Sequence, residues 1–321
     1  MNVALVGMGD HMYEHLLPAI RLIYGIRVVG CVTRTSEKQK KIGLLDDSIR
    51  VFSEIDELLK EGPSIDLVIC SGPPEFQSVV IRKCLRFDSH VFVEKPTCID
   101  HRELEGLQKE AEGKGLLIFT GYNFLYSGVY KQYKKIVGCQ DRLHEEINFY
   151  SNKPAMPMWG LNSVEESFVY AVGIHAVSLA YDRLNRELII NGVEVASGNG
   201  FFSTFHLGNG VDDIHLKFTN SYPFFYWGMD YLSSTGKVVR TEGANRISVL
   251  EKKEGDAFSE ACEIRSYPGL KLNANNVGYL DELEAMFGIV RMNDVDSVRD
   301  VHQRDLSILK ACCEMAEGLK Q

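Results

Sequence analysis

The sequence predicts an α/β protein with two domains. Residues 1–122 would form a doubly wound parallel sheet, and residues 123–321 an α+β domain with a large, mostly antiparallel open sheet. Three observations lead to this prediction. Apolar strands alternate with helical segments up to Thr120. Short strands separated by Gly and Asn turns fill residues 188–252. A length of 321 residues also suits two domains.

The composition is that of an ordinary globular protein, with 45% apolar and 25% charged residues. A net charge of −9 argues against nucleic acid and anionic membranes as partners. No apolar run is long enough to span a membrane. The eight cysteines form no Cys-x-x-Cys pair, which argues against zinc and for reduced thiols. With no targeting signal before the first strand, we expect a cytoplasmic protein that acts on a small molecule.

The first predicted strand, Val3–Val6, leads into a glycine turn and a helix predicted over residues 12–24. Gly7 permits a tight turn, and Gly9 lets the backbone approach a pyrophosphate. The first N–H groups of the helix would face the phosphates. An ordinary strand-to-helix turn is the alternative, because the third position of the motif is not a small residue. The pattern predicts a dinucleotide site of the Rossmann type at Gly7, Gly9, Asp10, His11 and Met12.

The second strand, Arg27–Val32, ends without the acid that commonly binds the ribose 2′-hydroxyl of NAD. Thr33, Arg34 and Lys38 follow instead, and such donors suit a 2′-phosphate. We therefore predict NADP(H) as the preferred cofactor, with NAD(H) as the alternative. A solvated helix start capped by Ser36 would explain the same residues without a ligand.

A later strand begins at His90 and ends in Glu94-Lys95-Pro96. Pro96 favours an extended conformation for Lys95 at the carboxyl end of the strand. Open α/β sheets bind their ligands at that edge, although a lysine on a solvated surface is the alternative.

Three motifs in this order resemble those of the Gfo/Idh/MocA oxidoreductases, the group of glucose–fructose oxidoreductase and inositol dehydrogenase. They are Gly7-x-Gly9, Ser71-Gly72-Pro73-Pro74 and Glu94-Lys95-Pro96. The resemblance continues through Gly121-Tyr122-Asn123-Phe124, Gly173-Ile174-His175 and residues 278–286, and so covers essentially the whole chain. It implies an oxidoreductase that transfers a hydride between a nicotinamide cofactor and a small polar substrate, such as a sugar derivative or imine.

The resemblance also implies roles for individual residues. Lys95 would bind the substrate oxygen and assist proton transfer, and His175 would be the general acid/base. The substrate site would add Tyr122, Tyr170 and Trp159, although Trp159 is equally typical of a structural tryptophan. Beyond the glycine turn, the cofactor site would comprise Thr33, Arg34, Lys38, Ser71, Gly72, Pro73, Glu94, Lys95 and Asn123.

The chain departs from the family pattern in three places. Many members carry an aspartate four residues before the histidine, where this chain has Ala171. Where the family frequently has a histidine after the proline pair, this chain has Gln77. Where an arginine is common two residues after the asparagine of the crossing segment, this chain has Leu125.

Two explanations of Ala171 stay open. The substrate is unusual, an imine or amino sugar, with the proton supplied by His175 or by Tyr170 or Tyr126. Otherwise catalysis is impaired, and the protein is a cofactor-binding sensor or accessory protein. A scaffold that keeps only the fold is a further reading, and it predicts no cofactor binding.

The second domain also bears on partners. The aromatic run at residues 224–227 suits either a core or a sheet face that pairs with another subunit, so we predict a homodimer or homotetramer through the C-terminal sheet. His206 and His215 alternate within strands and lack a third ligand at suitable spacing, so we predict no metal site.

Overall fold

A computed structural model describes residues 1–33, 48–138, 142–186, 188–198, 200–210, 212–251, 261–266 and 277–320. The chain divides into two compact units, Met1–Gly121 with Tyr279–Leu306, and Tyr122–Gly278 with Ser307–Gln321. The sequence analysis placed residues 279–306 with the second domain, whereas the structure packs them with the first unit.

The first unit contains a six-stranded parallel sheet in the order β3-β2-β1-β4-β5-β6. This order confirms the predicted doubly wound sheet. The inner strands β1, β4 and β5 are almost entirely buried, as expected of parallel strands covered on both faces. The strands are β1 (Asn2–Val6), β2 (Arg27–Val32), β3 (Arg50–Phe52), β4 (Leu67–Cys70), β5 (His90–Glu94) and β6 (Ile118–Gly121).

The second unit contains an eight-stranded sheet in the order β14-β13-β12-β11-β7-β10-β9-β8. Only β7 and β10 pair in parallel, which confirms the predicted mostly antiparallel sheet. β8 is one strand with an irregularity between Ile190 and Gly192. The strands are β7 (Arg142–Tyr150), β8 (Ile189–Gly198), β9 (Gly200–Gly208), β10 (Asp213–Thr219), β11 (Tyr226–Ser233), β12 (Val238–Glu242), β13 (Arg246–Glu251) and β14 (Ala261–Ser266).

The helices alternate with the strands of the first unit and cover the sheet of the second. They are α1 (Leu17–Ile20), α2 (Ile55–Glu61), α3 (Pro74–Arg86), α4 (His101–Gly113), α5 (Gly128–Val137), α6 (Val164–Phe168), α7 (Ile174–Arg183), α8 (Tyr279–Met292) and α9 (Val295–Gly318). π-Helical segments precede α1 (Met12–Leu16) and α7 (Val169–Gly173), and a 3₁₀ turn covers Asn123–Tyr126.

The predicted helix over residues 12–24 ends early, at Ile20. The N–H groups of Leu22 and Ile23 bond three residues back rather than four, so the last turn tightens. None of the described helices is long and apolar enough to cross a membrane.

Side chains of α9 close the edge of the first sheet at β6. The N–H of Ile118 donates to His302 Nε2 at 3.1 Å, and the N–H of Thr120 donates to Asp305 Oδ2 at 2.9 Å. An edge strand otherwise presents unpaired donors, and here the donors bind side-chain acceptors instead of another strand. These bonds are the physical reason why residues 279–306 pack with the first unit.

We expect Asp305→Ala to lower the free energy of unfolding by about 1–3 kcal/mol, because the buried Thr120 N–H would lose its acceptor. Urea denaturation followed by circular dichroism would measure the loss. Asp300→Ala, at an exposed position on the same helix, should change stability by less than about 0.5 kcal/mol. Equal losses in the two variants would contradict the edge-closing role.

Candidate functional site

The glycine turn brings the ends of β1 and β4 into backbone contact. Gly7 has φ +81°, and a Cβ at this position would lie 2.0 Å from the carbonyl oxygen of Ser71. The Ser71 N–H donates to the Val6 carbonyl at 2.9 Å, which fixes this close approach. Only glycine meets both conditions, positive φ and no side chain.

At Gly9 the fold itself does not require a glycine, because a Cβ there would meet nothing within 4 Å. Its N–H donates to the Gly7 carbonyl at 2.9 Å, and its carbonyl accepts from the Tyr13 N–H at 3.2 Å as the helical segment begins. The space beside Gly9 is therefore open to a ligand.

A cleft with a volume of about 470 Å³ lies next to this turn. It brings together six residues that the sequence assigned to the cofactor and several that the sequence missed. Three of the missed residues, Ser53, Glu54 and Ile55, follow β3, a strand of three residues that was not predicted. Glu54 and Glu57 at a helix start were a usable signal. The lining consists of Gly7, Met8, Gly9, Val32, Thr33, Ser53, Glu54, Ile55, Ser71, Gly72, Pro73 and Phe76.

The other residues assigned to the phosphate turn have different surroundings. Asp10 is exposed on the turn, whereas Met12 is fully buried and belongs to the core. Arg34 and Lys38, on which the NADP(H) preference rests, lie outside the described residues.

At the carboxyl end of β5, the buried Glu94 pairs with His11 from the glycine turn. His11 Nε2 lies 2.9 Å from Glu94 Oε1. The imidazoles of His11 and His15 are 5.0 Å apart, and the ring of Tyr279 from α8 lies 5.4 Å from His11 and 5.1 Å from His15. The sequence predicted both Glu94 and His11 as cofactor residues but not their pairing.

Burial and charge act in opposite directions on this pair. Burial disfavours the charged imidazole of His11, but the charge of Glu94 and the hydrogen bond to it outweigh burial, so the pKa of His11 is raised above 6.5. Burial also opposes ionisation of Glu94, but the charge and hydrogen bond of His11, and then Lys95, hold its pKa below 4.5. The geometry therefore favours an ion pair.

Lys95 follows directly after Glu94. Burial lowers the pKa of its ammonium group, and the charge of Glu94 offsets part of this effect. Gln77 Nε2 donates to the Glu94 carbonyl at 2.7 Å and to the Pro96 carbonyl at 2.8 Å, so both carbonyls flanking Lys95 are held. A partly buried lysine that gives up its proton readily is typical of functional sites.

In the second unit, His175 is 6% exposed at the start of α7. Its ring packs edge-to-face on Phe124, with centroids 4.6 Å apart, and stacks on Phe149 at 6.0 Å. Gly173, two residues before His175, allows the chain to approach β10 closely, because a Cβ there would lie 2.7 Å from the ring of Phe218.

Three further residues assigned to the site are tied into the second unit. Tyr170 is buried, and its hydroxyl donates to Cys313 Sγ at 3.4 Å. Burial and that hydrogen bond raise the pKa of Tyr170, which disfavours it as a proton donor. Tyr122 is fully buried, and Asn123 Nδ2 donates to the Val277 carbonyl at 2.8 Å.

Trp159 is partly exposed and has φ +54°, in a segment between β7 and α6. Lys95 belongs to the first unit, whereas His175, Tyr170 and Trp159 belong to the second. Their assembly into one site stays a prediction.

A third histidine, which the sequence analysis did not identify, lies near His206 and His215. His144 on β7 lies 5.0 Å from the His215 ring, and His206 lies 4.4 Å from it. Parallel pairing of β7 with β10 brings His144 there. Across the described residues, no group of three or more His, Cys, Asp or Glu has a geometry that could hold a metal ion.

The strand order, the glycine turn and the cleft at the strand ends define the first unit as a dinucleotide-binding Rossmann domain. Residues 1–122 match the model of the Gfo/Idh/MocA family, described as the oxidoreductase family with an NAD-binding Rossmann fold. This segment belongs to that family, and the resemblance inferred from the sequence is confirmed.

Among related proteins, the myo-inositol 2-dehydrogenase of Thermotoga maritima is 24% identical over 186 residues, 56% of this chain and 54% of that protein. The chain matches about half of the length of such curated relatives, or less.

Solved structures share the fold. A dehydrogenase from Chromobacterium violaceum has a TM-score of 0.89 at 24% identity, covering 100% of this chain and 97% of that one. KijD10 is a 3-ketoreductase from Actinomadura kijaniata solved with NADP and TDP-benzene. It has a TM-score of 0.76 at 16% identity, and the match covers 97% of this chain and 96% of KijD10.

The two glycines of the turn should respond differently to substitution. Gly7→Ala should destabilise the fold, because its Cβ would clash with the Ser71 carbonyl and alanine rarely adopts φ +81°. Gly9→Ala should fold like the wild type, because its Cβ meets nothing. Thermal denaturation of both variants would test this, and similar midpoints for the two would contradict the assigned turn geometry.

Proposed function

We propose that the protein is an NAD(P)-dependent oxidoreductase that transfers a hydride between a nicotinamide cofactor and a small polar substrate, a sugar derivative or an imine. The observation that supports this best is Lys95, a lysine with a lowered pKa at the strand end of a family Rossmann domain. The substrates of related dehydrogenases and a ketoreductase are of the same class.

Nicotinamide would supply the hydride chemistry. The residues of the chain would bind and move protons. Lys95 Nζ would bind the substrate oxygen or nitrogen and shift its proton, and His175 would be the general acid/base of the second unit. Gly7, Gly9 and the cleft residues Thr33, Ser71, Gly72 and Pro73 would hold the dinucleotide.

For the cofactor we propose NADP(H), because Arg34 and Lys38 suit a 2′-phosphate and the KijD10 structure holds NADP. NAD(H) is the alternative, and Glu54 favours it, because a carboxylate in the same cleft repels a phosphate. We further propose a cytoplasmic location, on the basis of the cysteine usage of the chain.

The second candidate is a catalytically impaired cofactor-binding protein with a sensing role. Ala171 favours it, because the family's frequent aspartate is missing. It shares cofactor binding with the main proposal and differs only in turnover.

One experiment separates these functions. NADPH and NADH are titrated by fluorescence, and the loaded protein is then screened against sugar alcohols, ketosugars and imines. With a turned-over substrate, Lys95→Ala and His175→Ala should each lower kcat by about 10²–10⁴, because each removes a positioned proton-transfer group. Lys109→Ala, at an exposed lysine, should have no effect.

Turnover that survives both substitutions would contradict the assigned site. Cofactor binding without turnover of any substrate would favour the sensor. If the protein binds neither dinucleotide, the remaining explanation is a scaffold that keeps only the fold.

We also propose that the outer face of the C-terminal sheet pairs with a second copy of the chain, as a homodimer or homotetramer. Tyr150, Tyr226 and the 41% exposed Phe202 lie in one row across this face. Ion pairs alternate beside them, Lys217 with Glu146 and Arg240 with Asp230. A face that carries both charges and aromatic rings suits self-pairing about a two-fold axis.

Phe202→Asp should shift the particle mass in sedimentation velocity towards the monomer, because a charge would enter the aromatic row. Leu143→Asp, at a position 67% exposed near the start of β7 and away from the aromatic row, should leave the mass unchanged. A wild-type protein that sediments as a monomer would refute the proposal.

A further inference from the structure

A single carboxylate lies between the phosphate-binding turn and the lysine of the proposed site. Glu94 Oε1 lies 2.9 Å from His11 Nε2, and Lys95 is its neighbour in the chain. His11 comes two residues after Gly9, at the start of the helical segment whose free N–H groups would face the pyrophosphate. A charge placed at the turn therefore acts on His11 first and, through Glu94, on Lys95.

The groups that face His11 come from three elements. Glu94 ends β5 and Lys95 follows it directly, Glu14 and His15 belong to its own helical segment, and Tyr279 belongs to α8, with Glu282 beyond it. Glu94 and Glu14 favour the imidazolium, whereas burial and the charge of Lys95 disfavour it.

His15 responds in the opposite direction. Burial, and then the charge of His11, lower its pKa despite Glu14 and Glu94. Of the two neighbouring imidazoles, His11 is therefore the one that binds a proton more readily.

We propose that His11 takes up a proton when a dinucleotide binds at the glycine turn, and that the imidazolium then draws the charge of Glu94 away from Lys95. Lys95 would release its own proton more readily in the loaded protein, as a proton acceptor in an oxidation requires. His11 would thus be a positioning residue that acts on Lys95 through Glu94. This inference rests on the proposed dinucleotide binding.

The physical basis is the sign of each charge. A pyrophosphate brings about two negative charges to the turn, and negative charge near an imidazole raises its pKa. Lys95 and His11 compete for Glu94, because each lowers the pKa of that carboxyl and Lys95 lowers the pKa of His11. Protonation of either cation therefore disfavours protonation of the other.

The pH window follows from the same signs. The pKa of His11 already lies above 6.5 in the free protein and would rise further on binding. Below that range the imidazole is charged in both states, so no proton is taken up. Between the free and the bound pKa, the affinity should fall as pH rises, by up to about tenfold per pH unit, and above both values this imidazole no longer affects it.

Isothermal titration calorimetry tests the first part. NADPH and NADH are titrated into the protein between pH 6 and 9, in buffers of different ionisation enthalpy. The wild type should take up as much as about one proton per cofactor above neutral pH. His11→Gln should bind without this uptake, and His101→Gln, at the start of α4, should keep it.

NMR tests the same inference without a variant of His11. The imidazole signals of His11, assigned by their loss in His11→Gln, should titrate at higher pH when NADPH is bound. Glu94→Gln should lower that pKa. If a substitution prevents folding, the comparison of free and loaded wild type still decides the question.

The coupling to Lys95 has its own readout. After reductive ¹³C-methylation, the Lys95 signal, assigned by its loss in Lys95→Arg, should titrate at lower pH in the loaded wild type than in loaded His11→Gln. Equal values would refute the coupling.

Cofactor binding without proton uptake would overturn the whole inference and leave the proposed function intact. If neither dinucleotide binds, the proposed function and this inference both fall.

Discussion

The requirement to pair one buried carboxylate organises the end of β5. An unpaired buried charge is costly, and Glu94 avoids that cost through His11. Space for this arrangement comes from Gly121 on the neighbouring β6, where a Cβ would lie 2.8 Å from the ring of Phe92 and 3.6 Å from Glu94 Oε1. The glycine turn after β1 and the lysine after β5 are thereby connected by contacts within one unit.

Gln77 completes this arrangement through the backbone. Its single NH₂ group donates to two carbonyls, one on each side of Lys95. A histidine at this position would have at most one N–H on each ring nitrogen and could not make the same pair of bonds from one atom. Gln77 Oε1 is buried without a hydrogen-bond partner among the described residues, a cost of about 1–3 kcal/mol that the two donated bonds offset.

How much the sequence could predict depended on the range of the interaction. The inner strands of the first sheet and the glycine turn were predictable, because apolar runs and glycine positions are local signals. The short strand β3 gave too little pattern, and with it the cleft residues Ser53 and Glu54 were missed.

Contacts between distant parts of the chain left no local signal. The partners His11 and Glu94 are 83 positions apart, and no periodicity links them. The packing of residues 279–306 on the first unit was missed for a related reason. An amphipathic helix shows which of its faces is buried, but it does not identify the surface that covers that face.

The alanine at position 171 is weaker evidence against catalysis than the comparison of sequences indicates. The comparison with an aspartate four residues before His175 assumes α-helical spacing, in which such residues share a face. The segment Val169–Gly173 is π-helical, and the Ile174 N–H bonds back to the Val169 carbonyl, five residues away. The regular α-helical spacing that this comparison assumes is therefore interrupted just before His175.

Tyr170 lies in this π-helical segment, and the raised pKa of its side chain keeps it protonated. Any acid/base chemistry of this helix therefore depends on His175 itself. In the first unit, Lys95 has a proton that burial already makes easier to remove. Lys95 and His175 could each supply a base in place of a carboxylate at position 171, so its loss alone does not decide for an inactive protein.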